Sequence, residues 1–152
     1  KAELGGEIDI QCRILNEIGL IALEADDLVL AYRAFSDALA VGELTHLPAA
    51  IRARAALAVV CALQERMDES TEHLALMAEI GKTLPPHIHS YVLCHTAEAH
   101  RLQGHLEAAR RDAHKASVLL GALGLPDAAP LARNVATVNE QLGANRGHMP
   151  HF

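Results

Sequence analysis

The sequence predicts an all-α fold of about seven antiparallel helices, and three observations support this prediction. The apolar residues are chiefly Ala, Leu, Ile and Val, whereas aromatic residues make up only 3% of the chain and Trp is absent. Small aliphatic side chains suit closely packed helices better than a sheet stabilised by aromatic cross-strand pairs. Proline is confined to a few positions, and the long segments between them are free of it, which favours helices. Finally, the sequence repeats with a period of 39 residues, which is typical of stacked helical hairpins.

Length and composition limit the classes of protein to which the chain can belong. Its 152 residues are enough for one domain with a substantial core, and 51% hydrophobic residues exclude a disordered chain. A net charge of −6 disfavours direct binding to nucleic acid, because the phosphate backbone would be repelled. No apolar run approaches the roughly 18 residues that a membrane-spanning helix needs, and we expect no signal peptide. Lys1 is not an initiator residue, so we expect the chain to be part of a longer protein.

The three cysteines, Cys12, Cys61 and Cys94, are scattered and include no CxxC motif. An odd and dispersed set argues against a disulfide framework and favours a reducing compartment. We therefore expect a cytoplasmic protein.

The 39-residue repeat places small residues where the two helices of a hairpin would cross and larger residues where one hairpin would meet the next. Glycines recur in the same register, as Gly42 with Gly81 and Gly104 with Gly143. The aligned sets are Gly19, Ala58, Ala97 and Ala136; Leu28, Met67 and Leu106; Ala31, Ser70 and Ala109; Phe35, Leu74 and Ala113; and Ala38, Met77 and Ala116.

Each repeat contains two helical segments. The first helices are predicted over 7–25, 48–64, 87–103 and 128–142, and the second helices over 27–41, 68–81 and 106–121. Asp27 and Asp68 occupy N-cap positions in this interpretation, and Gly42 and Gly81 occupy the left-handed position that ends a helix. Prolines recur at nearly the same spacing, at or just before the first turn of the next helix, where a missing N–H is not needed. These are Leu47-Pro48, Pro85-Pro86 and Leu125-Pro126.

These residues resemble the tetratricopeptide (TPR) repeat family. The family carries a small residue at the eighth position of the repeat, Ala at the twentieth, an aromatic residue at the twenty-fourth and Ala at the twenty-seventh. The first unit matches with Leu15, Ile18, Gly19, Ala22, Ala31, Phe35 and Ala38, and the third with Ala97, Gly104, Leu106, Ala109 and Ala116. The second unit is degenerate, with Ser70 in place of Ala and Leu74 in place of the aromatic residue.

The resemblance covers about 7–143 and implies a right-handed α-α superhelix. It predicts a single repeat domain over 1–143, with hairpins at about 7–42, 48–81 and 87–121, a capping helix at 128–142 and a flexible tail over 144–152. The usual TPR period is about 34 residues. The longer period here is similar to that of repeats in the sensor and effector regions of bacterial transcription regulators and signalling proteins, an analogy at the level of the fold.

In the family the first helix of each hairpin lines a concave face, with positions 2, 5, 9 and 12 pointing inward. The resemblance therefore implies a partner-binding surface that includes Arg13, Asn16, Leu20, Arg52, Val59, Tyr91, Glu98, Arg101 and Arg133. The remaining inward positions are Leu23, Ala55, Ala62, Cys94, Pro130, Thr137 and Glu140. An apolar floor with Arg at intervals suits a peptide or helix that carries Leu-type anchors and acidic residues.

Two alternatives concern the chemistry of this surface. The arginines could instead form intramolecular ion pairs with Glu17, Glu98 or Asp68, pairs that contribute little when exposed. The TPR subclass that clamps the C-terminal tails of chaperones uses Lys and Asn at these positions. Only Asn16 matches here, so a clamp of that kind is not expected.

No catalytic or cofactor-binding constellation is predicted. The ten histidines lack the i, i+3 or i, i+4 spacing of a helical metal pair, except His148 and His151 in the predicted tail. Cys61 lies in an apolar run and is expected in the core. We therefore expect a protein or peptide interaction module of a larger regulatory protein, without enzyme activity, cofactor or metal. The alternatives are an oligomerisation scaffold and, third, a helical array that binds a small molecule.

Overall fold

A computed structural model describes residues 2–42, 48–126 and 130–147, with side chains described within residues 6–143. These residues form seven α-helices and no strand, which confirms the predicted all-α class. The helices are α1 (Ala2–Glu24), α2 (Leu28–Gly42), α3 (Pro48–Leu63), α4 (Met67–Ile80), α5 (Pro86–Leu102), α6 (Leu106–Leu123) and α7 (Pro130–Gly147), with a short 3₁₀ turn at Gly81–Thr83. Within the described ranges, no helix is both long and apolar enough to cross a bilayer.

The chain divides into two compact units, Lys1–Glu79 and Ile80–Phe152. In the first unit, α1, α2 and α3 pack around Phe35, which is flanked by small residues because bulkier ones would hold the helices apart. The buried members of this core are Ala22, Ala31, Phe35, Ala38, Ala53, Ala56, Leu57 and Val60.

The core of the second unit lies where α5, α6 and α7 meet. Small residues from α6 oppose larger aliphatic residues from α5 and α7, so knobs on one helix meet hollows on the next. The buried members are Leu93, Cys94, Ala97, Ala109, Ala113, Ala116, Leu131, Val135, Val138 and Leu142.

Three interhelical turns share one backbone geometry at the 39-residue spacing. Asp26, Glu65 and Gly104 occupy the same turn position and have φ angles of 61°, 64° and 83°. The amide that follows each of them donates to the carbonyl five residues earlier, at 2.8, 2.8 and 2.9 Å. This is the pattern of a Schellman motif, which satisfies carbonyls that the helix end would otherwise leave unpaired. The repeat is thus present in the backbone as well as in the side chains.

The predicted helix starts are partly confirmed. Pro48 and Pro86 begin α3 and α5, within one residue of the predicted starts at 48 and 87. Helix α7 begins at Pro130, four residues after the recurring Pro126. Asp27 precedes α2, and its Oδ1 accepts a hydrogen bond from the Leu30 amide at 3.2 Å, as an N-cap should. The N-cap assignment of Asp68 is wrong, because α4 begins one residue earlier and Asp68 lies in its first turn.

The predicted left-handed role of Gly42 and Gly81 is also wrong. Neither glycine has a positive φ; Gly42 is the last residue of α2 and Gly81 begins the 3₁₀ turn. A Cβ atom at Gly42 would lie 2.7 Å from the Cβ of Ala50 and 2.9 Å from the Sγ of Cys12. This glycine is therefore required by the close approach of α1 and α3 rather than by backbone conformation.

The helix boundaries otherwise follow the prediction closely, with two extensions. Helix α1 begins at Ala2 rather than at 7, and α7 continues to Gly147 rather than ending at 142. The first four residues of the predicted tail are therefore helical. The remainder of that tail, with His148 and His151, lies outside the described residues, as do Leu47 and the predicted start of the capping helix at 128.

Candidate functional site

In the first unit, the residues predicted to bind a partner differ widely in exposure. Arg13 on α1 is 72% exposed and pairs with Oδ2 of Asp9 at 3.0 Å, one turn earlier. Leu20 and Arg52 are half-buried, and Leu20 packs against the core. Val59 is buried in α3 and presents no surface to solvent.

Asn16 is buried, and its Nδ2 donates to the backbone carbonyl of Ala49 at 2.7 Å. This hydrogen bond ties α1 to the first turn of α3. The Oδ1 of the same amide has no hydrogen-bond partner in the structure. Asn16 therefore acts as an interhelical contact, and its predicted role in partner binding stays a prediction.

In the second unit, Tyr91 is half-buried against the core and Arg133 is exposed near the start of α7. Glu98 and Arg101 are both largely buried and form a two-point ion pair, in which Nε of Arg101 donates to Oε2 of Glu98 at 2.9 Å. This carboxylate raises the pKa of Arg101. Two of the four predicted arginines thus pair within their own helices, as the intramolecular alternative anticipated. Glu98, the partner of Arg101, is one of the predicted partners, whereas Asp9, the partner of Arg13, is not.

A polar cluster links α2, α3 and α4 of the first unit, and it is centred on Glu69. The hydroxyl of Tyr32 donates to Oε2 of Glu69 at 2.6 Å, and the thiol of Cys61 donates to the same oxygen at 3.3 Å. The guanidinium of Arg66 lies 4.4 Å above the centre of the Tyr32 ring. These donors lower the pKa of Glu69, chiefly through the Tyr32 hydrogen bond, so the carboxylate remains charged.

Cys61, Glu69 and His73 bring one sulfur, one oxygen and one nitrogen atom to within 4.8 Å of one another, a donor set that could suit zinc. The surrounding charges oppose a cation. The Arg54 guanidinium lies 3.2 Å from Nδ1 of His73, and Arg66 lies 3.8 Å from the Glu69 carboxylate. A guanidinium has no acceptor, so Nδ1 must accept, which leaves the proton on Nε2, the nitrogen that would face the metal.

Burial and Glu69 raise the pKa of the Cys61 thiol to about 12, so a thiolate ligand is also costly. We therefore interpret this cluster as a structural network that joins three helices.

A second polar group lies in the second unit, between α5 and α6. Thr96 donates to Oδ2 of Asp112 at 2.8 Å, and Nε2 of His100 lies 3.8 Å from the same oxygen. The rings of His100 and His105 lie 5.9 Å apart between centroids, with their planes tilted by 47°. Burial lowers the pKa of His100, although Asp112 opposes that shift, so the imidazole is held neutral at pH 7.

The feature that sequence reasoning missed is an exposed apolar surface on α1, which we term the isoleucine face. It consists of Ile10, Ile14, Ile18 and Ile21, with exposed fractions of 58%, 55%, 39% and 63%. The spacing i, i+4, i+8, i+11 places all four on one side of the helix. An apolar surface of this kind marks a candidate contact site for another protein.

Comparison with known proteins found no match to the chain among family models, curated proteins or solved structures.

Proposed function

We propose that this chain is a TPR-like protein-interaction module, arranged as a right-handed superhelix of hairpins, that binds an acidic and apolar segment of a partner along the first helices of its hairpins. In this role it would serve as the sensor, effector or scaffold part of a larger cytoplasmic regulatory protein. No covalent chemistry is assigned to it.

The observation that carries the proposal is the recurrence of one hairpin design in both units. The turns at Asp26, Glu65 and Gly104 all have a positive φ and the same pattern of hydrogen bonds, at a constant interval of 39 residues. Helical repeats of this kind are used mainly as extended binding surfaces, because each added hairpin lengthens the surface without changing its design.

The charges of the exposed first-helix residues support the acidic character of the partner. Arg13 and Arg133 are exposed although the chain as a whole carries a net charge of −6. Guanidinium groups bind carboxylates through two parallel hydrogen bonds, which gives them direction as well as charge. Arg13 is 72% exposed and pairs with one carboxylate, that of the half-buried Asp9, so a partner can displace the pair at little cost.

The test is affinity capture from a lysate of the source organism with the full chain as bait. A variant with Arg13, Arg52 and Arg133 changed to Glu is compared with a control in which the exposed Arg33, Lys82 and Lys115 are changed to Glu, so that both carry the same change in net charge. Circular dichroism confirms that both remain folded. A partner that the control retains and the first variant loses supports the proposal. Equal retention by both variants removes the arginines from the site.

A direct measurement follows with the captured partner. Its acidic, Leu-containing segments are synthesised as peptides, and their affinities are measured in low and high salt. We expect affinity to fall with salt, because exposed charge pairs are screened. Affinity that does not depend on salt would contradict an acidic ligand.

A further inference from the structure

The isoleucine face lies on the side of α1 that is turned away from the rest of the first unit. The opposite side of α1 carries Cys12 and Gly19, which are buried, and the Sγ of Cys12 lies 3.4 Å from the carbonyl oxygen of Ala38 on α2. Helix α1 thus has one side packed on its own unit and a second, apolar side whose isoleucines are exposed.

The 39-residue repeat allows the burial of the isoleucine face to be compared with that of the equivalent positions on the other first helices. Shifting the isoleucine face by 39, 78 and 117 residues leads to positions on α3, α5 and α7, and every described counterpart is buried. The counterparts are Ala49, Ala53, Leu57 and Val60 on α3; Ile88, Val92, Thr96 and Ala99 on α5; and Leu131, Val135 and Val138 on α7. Among these described positions, the face is exposed on α1 and buried on the other three helices.

The element that covers the face is visible within each unit. On α3, the counterparts Ala53, Leu57 and Val60 share a core with Ala31, Phe35 and Ala38 of α2. On α7, Leu131, Val135 and Val138 share a core with Ala109, Ala113 and Ala116 of α6. In both units the covering element is a helix with small residues at i, i+4 and i+7, or with one aromatic residue in the middle of that stripe.

The size of the side chains on the isoleucine face indicates which kind of helix would pack best against it. Ile10 and Ile14 stand where α3 has Ala49 and Ala53, so this face protrudes more than its counterpart. Large residues on one helix pack best against small residues on the facing helix. A covering helix with Ala throughout its stripe, like that of α6, fits better than one with a central Phe.

Charge defines the flanks of that helix. Glu7, Glu17 and Glu24 are exposed and lie on or beside the isoleucine face at 100° per residue, whereas Arg13, the one basic residue within α1, pairs with Asp9. A second copy of the chain would bring two acidic faces together, and like charges at an interface oppose association.

We propose that the isoleucine face is a docking site for an α-helix of a partner protein that carries Ala or Gly at i, i+4 and i+7 and Lys or Arg on its flanks. This site is distinct from the surface proposed above to bind an acidic segment, which includes Arg13, Arg52 and Arg133 and which we term the arginine-bearing surface. The partner helix would occupy on α1 the place that α2 occupies on α3.

Helix α6 supplies a probe with this chemistry, because it combines Ala109, Ala113 and Ala116 with Arg110, Arg111 and Lys115. A fluorescein-labelled, end-capped peptide of the Leu106–Leu123 sequence is titrated with the full chain, and its anisotropy is measured. We expect saturable binding that weakens at least about tenfold, or about 1.4 kcal/mol, when Ile14 and Ile18 are both changed to Gln. A control with Leu76 and Val118 changed to Gln, which are also exposed, should bind as the parent does.

A second format covers weak binding by a short peptide. The same 18-residue sequence is joined ahead of Lys1 through a flexible Gly/Ser linker, which raises its effective concentration to about the millimolar range. We expect a higher Tm than for a fusion whose three stripe alanines are changed to Glu, and loss of the difference when Ile14 and Ile18 are Gln.

The outcomes separate the alternatives. Failure of both formats overturns the proposal, as does binding that the Gln substitutions leave unchanged, which would indicate exchange with the resident α6. A dimer of the parent chain that the Gln substitutions abolish would overturn it in favour of self-association. Binding that survives the change of Arg13, Arg52 and Arg133 to Glu shows that this site acts independently of the arginine-bearing surface.

Discussion

Gly19 and Phe35 offer the sharpest test of how the first unit is packed. Gly19 is buried on α1, and a Cβ atom added there would lie 2.6, 2.7 and 2.8 Å from three carbons of the Phe35 ring. Phe35 is only 1% exposed and packs on several sides, so the ring cannot simply turn away. At the corresponding positions of the second repeat the pair is Ala58 with Leu74. The residue equivalent to Gly19 is therefore larger, and the residue equivalent to Phe35 is smaller.

The magnitude follows from two opposing terms. Overpacking a well-filled core costs about 1–3 kcal/mol, whereas replacing Gly by Ala within a helix contributes up to about 1 kcal/mol. We therefore expect Gly19→Ala to lower the free energy of unfolding by roughly 1–2 kcal/mol. Phe35→Leu alone leaves a void at Gly19 and costs about 1–2 kcal/mol. The double variant copies the second repeat, so we expect it to lose at least ~1 kcal/mol less than the sum of the two.

Urea unfolding followed by circular dichroism measures all four members of this cycle. Gly143→Ala serves as the control, because nothing lies within 4 Å of a Cβ atom there and the substitution should stabilise α7. Additive effects of Gly19→Ala and Phe35→Leu would refute the steric account, as would a Gly19→Ala variant that is as stable as the control.

Four further predictions concern the first unit. Burial lowers the pKa of His73 below its ordinary value of 6.5, so the native state resists protonation of this side chain. The contribution of neutral His73 to the free energy of unfolding should be fully present above pH 6.5 and be lost as the pH falls below that value. Urea unfolding of the His73→Gln variant should show a smaller loss. Tyr32→Phe removes the 2.6 Å hydrogen bond to Glu69, and because that carboxylate is about a third exposed we expect a loss of only about 1 kcal/mol, together with a rise in the pKa of Glu69 measurable by NMR titration. Cys61, buried and with a pKa of about 12, should react with iodoacetamide at pH 8 only after denaturant is added, and rapid reaction in native buffer would contradict its burial. Glu65→Gly relieves a φ of 64° and should raise the unfolding free energy by about 0.5–1 kcal/mol, and an unchanged urea midpoint would show that this turn is unstrained.

The helices were predictable because several local signals agree with the repeat. A proline at the first helical position and a small residue at each crossing are visible in the sequence, and they place most helix ends within a few residues of the observed ones. The turns were not predictable in the same way. Their left-handed position is occupied by Asp26, Glu65 and Gly104 in the three repeats, so three different residue types adopt one backbone geometry.

The candidate surfaces were less accessible to sequence reasoning, because exposure depends on which helix covers which face. Val59 and Asn16 occupy positions that the resemblance turns toward a ligand, yet both are buried by neighbouring helices. The isoleucine face carried a signal, since Ile14 and Ile18 align at 39 residues with Ala53 and Leu57. Because Ala53 and Leu57 pack in the core, the alignment indicates that this side of α1 is suited to packing against another helix. Only the three-dimensional arrangement shows that, among the described first helices, this side is exposed on α1 and buried on the others.

The three matching turns also bear on how the chain folds. Each turn is closed by hydrogen bonds that span no more than five residues, so α1 meets α2, and α5 meets α6, across a very short stretch of chain. Closing such short loops costs little entropy, and chains dominated by local contacts fold fast. We expect a hairpin in either unit to be able to nucleate folding, so that refolding rates respond more strongly to substitutions at the turns than to substitutions in α7.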